Sequence, residues 1–228
     1  MHTGRVSHME NMKPGAKIVA PSAIAMAGQM YTDSKGLQSY PVPQEMTLND
    51  IEQTQNEFVN AAVNAIESGF DGVEVHGANG YLLDQFINPA SNHRKDDYGG
   101  SIKNRCRFSI EVAQKISAAI GAGKTGIRLS PCGVFNDMVI FDEIEETYSY
   151  LADAMKKIKL VYIHIVNHSS MGAPEVPESV QSIIRKAFGG NIIASGGLDK
   201  EKAELILTTD KAELVAFGRP FLANPDLV

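Results

Sequence analysis

His76, Asn79 and Tyr81 bring an imidazole, a carboxamide and a phenol within six residues of one another. An imidazole and an amide can both hydrogen-bond a carbonyl oxygen, and a phenol nearby can deliver a proton. Together they could activate a carbonyl compound. The run that precedes them, Gly72-Val73-Glu74-Val75-His76, is short and β-branched, and Gly77 and Gly80 punctuate the residues after it. It reads as a strand that empties into a turn, so the strand is scaffold and the chemistry collects at its C-terminal end.

The elements that must position this trio keep a strand–helix rhythm. Thr47 and Asp50 form a capping-box pattern that opens a helix through Ile51, Phe58, Ala62 and Ile66, closed by Gly69. After the strand at 72–76, Ser101 caps a helix bearing Phe108, Val112, Ile116 and Ile120 at helical spacing. Further strands are expected at 125–129, 161–165, 191–195 and 214–217, separated by helices at about 142–157, 178–188 and 200–207. Short apolar strands isolated by helices indicate repeated βαβ units and a parallel sheet. The polar and glycine residues sit just after strands, at His76, Arg128–Ser130, Asn167, Gly196-Gly197 and Gly218-Arg219. In a parallel barrel those ends share one face. No strand is followed by the Gly-x-Gly-x-x-Gly turn of a doubly wound sheet, which favours the barrel. Residues 7–50 differ: seven prolines and glycines break any long period, so this segment is an excursion on the rim containing a hairpin.

Composition narrows the function classes. The chain has 228 residues, 43% of them hydrophobic and 21% charged, which suits a single globular domain with a sizeable core. A net charge of −6 with signs interspersed argues against nucleic-acid binding. No apolar run approaches the roughly 18–20 residues of a membrane helix. Two cysteines, Cys106 and Cys132, form neither a disulfide framework nor a zinc-ligand spacing, and read as packing residues. A cytoplasmic location is the default expectation.

The run His76-Gly77-Ala78-Asn79-Gly80-Tyr81-Leu82-Leu83-Asp84-Gln85-Phe86 resembles the old yellow enzyme family. So do Asn88-Pro89, Asp97-Tyr98-Gly99-Gly100-Ser101, Asn104-Arg105, Arg128-Leu129-Ser130-Pro131, Ala216-Phe217-Gly218-Arg219-Pro220-Phe221 and Asn224-Pro225. The opening His2-Thr3-Gly4-Arg5-Val6-Ser7-His8 is similar to the end of that family's third barrel strand. The resemblance covers the whole chain in order. It implies a (βα)8 barrel of the FMN-linked oxidoreductase type, in which NADPH or NADH reduces the flavin. The flavin then passes hydride to the β-carbon of an α,β-unsaturated carbonyl compound. It further implies that His76 and Asn79 bind the substrate oxygen and that Tyr81 protonates the α-carbon. Arg128 would lie beside the flavin pyrimidine ring, a fixed charge that tunes the cofactor. Gly196, Gly197 and Gly218 would cradle the phosphate with backbone N–H groups, and Arg219 would pair its charge. Substrate identity and homo-oligomerisation stay open.

Other residues carry blander readings. Arg128 could form a buried ion pair with Glu74. His164 reads as a hydrogen-bonded core residue, and Arg94, Lys95, Asp96 and Asp97 as an exposed charged run. Met9, Met12, Met26, Met30 and Met46 are expected to pack the rim. Five strands plus a stub at 1–6 correspond to strands three to eight of a barrel, a partial TIM-barrel domain over 1–228 that lacks the first two strand–helix units. Alone, such a polypeptide is expected to bind FMN weakly or not at all. The alternative is a non-catalytic barrel remnant that acts through protein contacts at open sheet edges. A phosphate-binding aldolase is disfavoured because Lys124 precedes its strand.

Overall fold

The computed structural model describes residues 4–227. Its frame is a five-stranded parallel sheet in which each strand is followed by a helix on the outer face. The excursion comes first. It contains β1 (Val19–Ala20), β2 (Gln29–Thr32), β3 (Gly36–Ser39) and β4 (Gln44–Glu45). β2 and β3 make the expected antiparallel hairpin, while β1 and β4 pair in parallel and close the excursion at its base.

α1 (Leu48–Glu67) then starts on a complete capping box: Asp50 N–H donates to Thr47 Oγ1 at 3.1 Å, and Thr47 N–H donates to Asp50 Oδ2 at 2.8 Å. The main units come next as β5 (Val73–Gly77), α2 (Leu82–Ile87), α3 (Ile102–Ile120), β6 (Thr125–Leu129), α4 (Ile144–Ile158), β7 (Tyr162–Val166), α5 (Glu178–Phe188), β8 (Asn191–Ser195), α6 (Lys200–Thr208), β9 (Leu214–Ala216) and α7 (Arg219–Ala223). The sheet order is β5-β6-β7-β8-β9, with all neighbours parallel.

Alternation along each strand sorts the side chains. Ile127, Leu129, Ile163 and Ile165 face the helices and are buried against Phe108, Val112, Leu151 and Met155. Phe86 stacks on Phe108 with ring centroids 4.4 Å apart, which locks α2 onto α3. The intervening residues Arg128 and His164 face the other side of the sheet, where a barrel keeps its interior. In register, His76 pairs with Arg128 and Arg128 with His164, so three polar side chains form one row across three strands.

Three expectations need correction. Of the strand stub expected at 1–6, residues 1–3 (including His2 and Thr3 of the opening motif) lie outside the described residues, and 4–6 form a bend. The run at 94–97 is not uniformly exposed. Arg94 is buried, and its Nη1 donates to Pro21 O at 3.0 Å and Met46 O at 2.6 Å while Asp96 takes the rest of the guanidinium. A guanidinium with five donors can hold two loop carbonyls and a carboxylate at once, which makes its burial tolerable. Met46 belongs to the main core rather than the rim, whereas Met9 is exposed. Among the described residues no helix is long and apolar enough to cross a membrane.

Candidate active site

His76 lies near the end of β5, Asn79 and Tyr81 lie on the turn that follows, and the conformation of this turn is fixed by side chains from elsewhere. Asn79 and Gly80 both adopt left-handed backbone, with φ of 62° and 72°. Asparagine is one of the few residues that tolerate this region. The Asn79 N–H donates to Ser130 Oγ at 2.8 Å, and the Asn79 carbonyl accepts from Asn136 Nδ2 at 2.7 Å. Gly80 N–H donates to Asp84 Oδ2 at 2.8 Å, and the Ser130 hydroxyl donates to the same oxygen at 3.2 Å. Gln85 Nε2 donates to Gly80 O at 2.7 Å, and Arg5 N–H in turn donates to Gln85 Oε1 at 3.2 Å. Complete burial pushes the Asp84 carboxyl up to about 7, against the pull of the Gly80 and Ser130 donors.

Within this frame His76 and Tyr81 lie ring to ring, 5.2 Å between centroids with a 43° tilt. The Asn79 carboxamide reaches the other way: its Oδ1 stands 2.7 Å from His168 Nε2, on the loop after β7. The trio therefore shares one strand end and its turn but divides between two neighbours. The excursion leans over the same region. Arg5 Nη1 donates to Ile24 O at 3.3 Å and its Nη2 to Asn136 O at 3.0 Å, and Tyr40 has its hydroxyl pKa raised by burial and by the nearness of Tyr81 and Asp137.

Arg128 is held from behind by a relay. Its Nη1 lies 2.7 Å from His164 Nε2, and His164 Nδ1 lies 2.9 Å from Glu74 Oε2. A guanidinium can only donate, and Ser195 Oγ also lies 2.8 Å from His164 Nε2, so the imidazole links Arg128 and Ser195 on one side to the Glu74 carboxylate on the other. The ion pair suggested between Arg128 and Glu74 is thus mediated by His164, which is buried as expected. Burial lowers the Arg128 pKa, opposed by the Glu74 charge. Burial would raise the Glu74 carboxyl, but the His164 hydrogen bond and the Arg128 charge outweigh it and leave that group below its ordinary value.

Arg128, Gly196, Gly197, Gly218 and Arg219 line one cavity of about 680 Å³, together with His168 and Ser195. Gly196, at φ 118°, sits so close to the next loop that a Cβ would fall 1.7 Å from Asn167 O. Gly197, at φ 63°, would place a Cβ 2.5 Å from the Ser170 side chain. Only glycine fits either position, so the bare backbone of this turn is a built feature. Gly218 opens onto free space, and Arg219 is exposed at the start of α7. Two arginines and bare-backbone glycine turns lining one cavity suit an anionic, phosphate-bearing molecule. Ser130 was among the polar residues noted just after strands, whereas Asp84, Gln85, Asn136, Arg5 and His168 were not assigned to the site. Asp84 and Gln85 lie inside the quoted motif, so position alone could have flagged those two.

A parallel sheet with its chemistry gathered at the C-terminal strand ends defines an α/β-barrel enzyme architecture. Known proteins make this specific. The model of the NADH:flavin oxidoreductase / NADH oxidase family matches residues 1–228, and the chain belongs to that family. It is 43% identical over 230 residues to putative 12-oxophytodienoate reductase 5 of Oryza sativa subsp. japonica, covering 99% of this chain and 60% of that protein. It is 37% identical over 228 residues to putative 12-oxophytodienoate reductase-like protein 1 of Arabidopsis thaliana, of which it covers 68%. Among solved structures, morphinone reductase superposes with a TM-score of 0.92 at 37% identity, covering 99% of this chain and 62% of the other. The old yellow enzyme homologue from Zymomonas mobilis superposes with a TM-score of 0.92 at 32% identity, covering 99% and 63%. The chain thus spans about 60% of the length of the rice relative and of these structures. Its five-stranded sheet is part of their barrel.

Proposed function

We propose that this chain carries the substrate-binding and phosphate-binding sides of an FMN-dependent, NAD(P)H-driven ene-reductase. The observation that carries this reading is the pairing of His76 with Arg128 across β5 and β6, Arg128 itself lining the glycine-turn cavity. The groups meant for substrate and for cofactor are thereby neighbours. Relatives named as reductases of 12-oxophytodienoate and of morphinone support an enone-type substrate, and a morphinone reductase complex with tetrahydroNAD supports a nicotinamide donor.

FMN, when bound, supplies the hydride that goes to the β-carbon. Arg128 would hold its pyrimidine edge, with the guanidinium kept in place by His164 and Glu74. Gly196, Gly197 and Gly218 would give backbone donors to its phosphate, and Arg219 a charge. His76 and Asn79 would donate to the substrate carbonyl oxygen and stabilise the enolate-like charge that develops there. The Tyr81 O–H would then give its proton to the α-carbon, and the phenolate would recover a proton from water. A phenol O–H is a chemically competent general acid for this transfer.

Tyr81→Phe in the FMN-loaded enzyme tests the assignment. Reduction of 2-cyclohexenone should fall by about 10²-fold or more, while reduction of the flavin by NAD(P)H keeps its rate. Wild-type enone turnover in that variant would remove Tyr81 from the mechanism. A second reading, partner binding without catalysis, rests on β5 and β9, which form the two edges of the sheet among the described residues. A flavin absorbance spectrum of the purified protein separates the two.

A further inference from the structure

We propose that His168 is a positioning residue for substrate binding: its Nε2–H donates to Asn79 Oδ1 and keeps the carboxamide NH2 turned toward the substrate oxygen. The inference rests on the reading of Asn79 as a donor to that oxygen.

Asn79 has little other freedom. Its N–H is bonded to Ser130 and its C=O to Asn136, which fixes the backbone on both sides of the side chain. The side chain keeps two torsions, which the contact with His168 sets, and rotation about the terminal one exchanges amide oxygen for amide nitrogen. Only one of the two orientations works. With Oδ1 toward the substrate, two acceptor oxygens would face each other; with Nδ2 there, a donor meets the developing charge. The geometry settles on the second, because Oδ1 is 2.7 Å from the imidazole nitrogen.

The imidazole is itself fixed. Its ring stands edge-on to Phe135, 4.7 Å between centroids at 73°, and it lines the cavity shared with Arg128. Burial, with the Arg128 charge, lowers the His168 pKa below its ordinary value. At neutral pH the ring therefore carries one proton, and the nitrogen that bears it dictates which way the amide points. An Nε2–H ring must donate to Oδ1; an Nδ1–H ring would instead accept from the NH2 and turn the amide oxygen into the site.

Nitrogen-15 NMR of the full 228-residue chain, labelled at histidine and asparagine and recorded near pH 7.5, reads the tautomer directly. His168 should be the Nε2–H form. The Asn79 NH2 resonances should shift in His168→Phe and return close to their original positions in His168→Gln, whose amide restores a donor. An Nδ1–H tautomer, or an Asn79 amide unmoved by His168→Phe, would overturn the proposal. In the FMN-loaded enzyme, His168→Phe should raise the 2-cyclohexenone KM about tenfold without slowing flavin reduction, with His168→Gln within about threefold of wild type. A shifted Asn79 amide with an unchanged enone KM would show that Asn79 does not bind the substrate oxygen. That result removes this role of His168 and the Asn79 assignment together, whereas the wrong tautomer removes the His168 role alone.

Discussion

Asp84 fixes the turn that carries Asn79 and Tyr81 without belonging to the trio. It is buried beneath that turn, and its Oδ2 gathers the Gly80 N–H and the Ser130 hydroxyl, while Ser130 also receives the Asn79 N–H. Its carboxyl is pushed from an ordinary 3.8 up to about 7, so the folded protein holds this proton more tightly than the unfolded chain does. Between pH 4 and 7 the native state therefore binds more protons, and the Asp84 contribution to stability falls as pH rises through that window. Asp84→Asn keeps an acceptor for both donors and cannot ionise. Its stability relative to wild type should climb from pH 4 to 7 and level off above, by up to roughly 4 kcal/mol if the whole difference is expressed. Denaturant titrations at several pH values measure the gap, and a gap that does not change with pH would refute the assignment. Nothing in the sequence announced this burial, because Ser130 lies 46 residues further along and only the sheet brings it near. The placement of the trio at the end of β5 and on the turn after it was legible, because a β-branched run is followed there by glycine-spaced polar residues.

At the scale of elements, local chemistry carried most of the information. The capping box at Thr47, the cap at Ser101 and the β-branched runs at 125–129 and 191–195 mark boundaries that depend only on neighbouring residues. The short helices α2 and α7 were not anticipated. α2 is buried on every side, so it shows no amphipathic period, and α7 has only five residues. Arg94 was misread for a related reason. A charged run is usually solvated, yet here one arginine turns inward and ties Pro21 and Met46, at the two ends of the excursion, to the main body. Arg94→Ala would leave both carbonyls short of a donor and should cost roughly 2–4 kcal/mol. It should also speed proteolytic cleavage within 21–46. A denaturant midpoint and cleavage rate equal to wild type would show that the excursion is anchored by other contacts.

For the molecule as a whole, the five-stranded sheet and the family match agree, and the register supplies what periodicity could not. Alternation predicts that Arg128 and His164 share a face; only the pairing shows that they are adjacent and that Glu74 completes the relay. The cavity at the strand ends is walled by Arg128 on β6 and by the loops after β7, β8 and β9, Arg219 among them. A flavin seated there would lie against Arg128 and the glycine turns after β8 and β9. The most direct measurement is a titration of FMN with the purified chain and with Arg219→Ala, monitored by quenching of flavin fluorescence. The expected result is saturable binding, weakened about tenfold in Arg219→Ala, as loss of one charge-assisted phosphate contact implies. Quenching that never saturates, or binding indifferent to Arg219→Ala, would contradict the placement of FMN in this cavity.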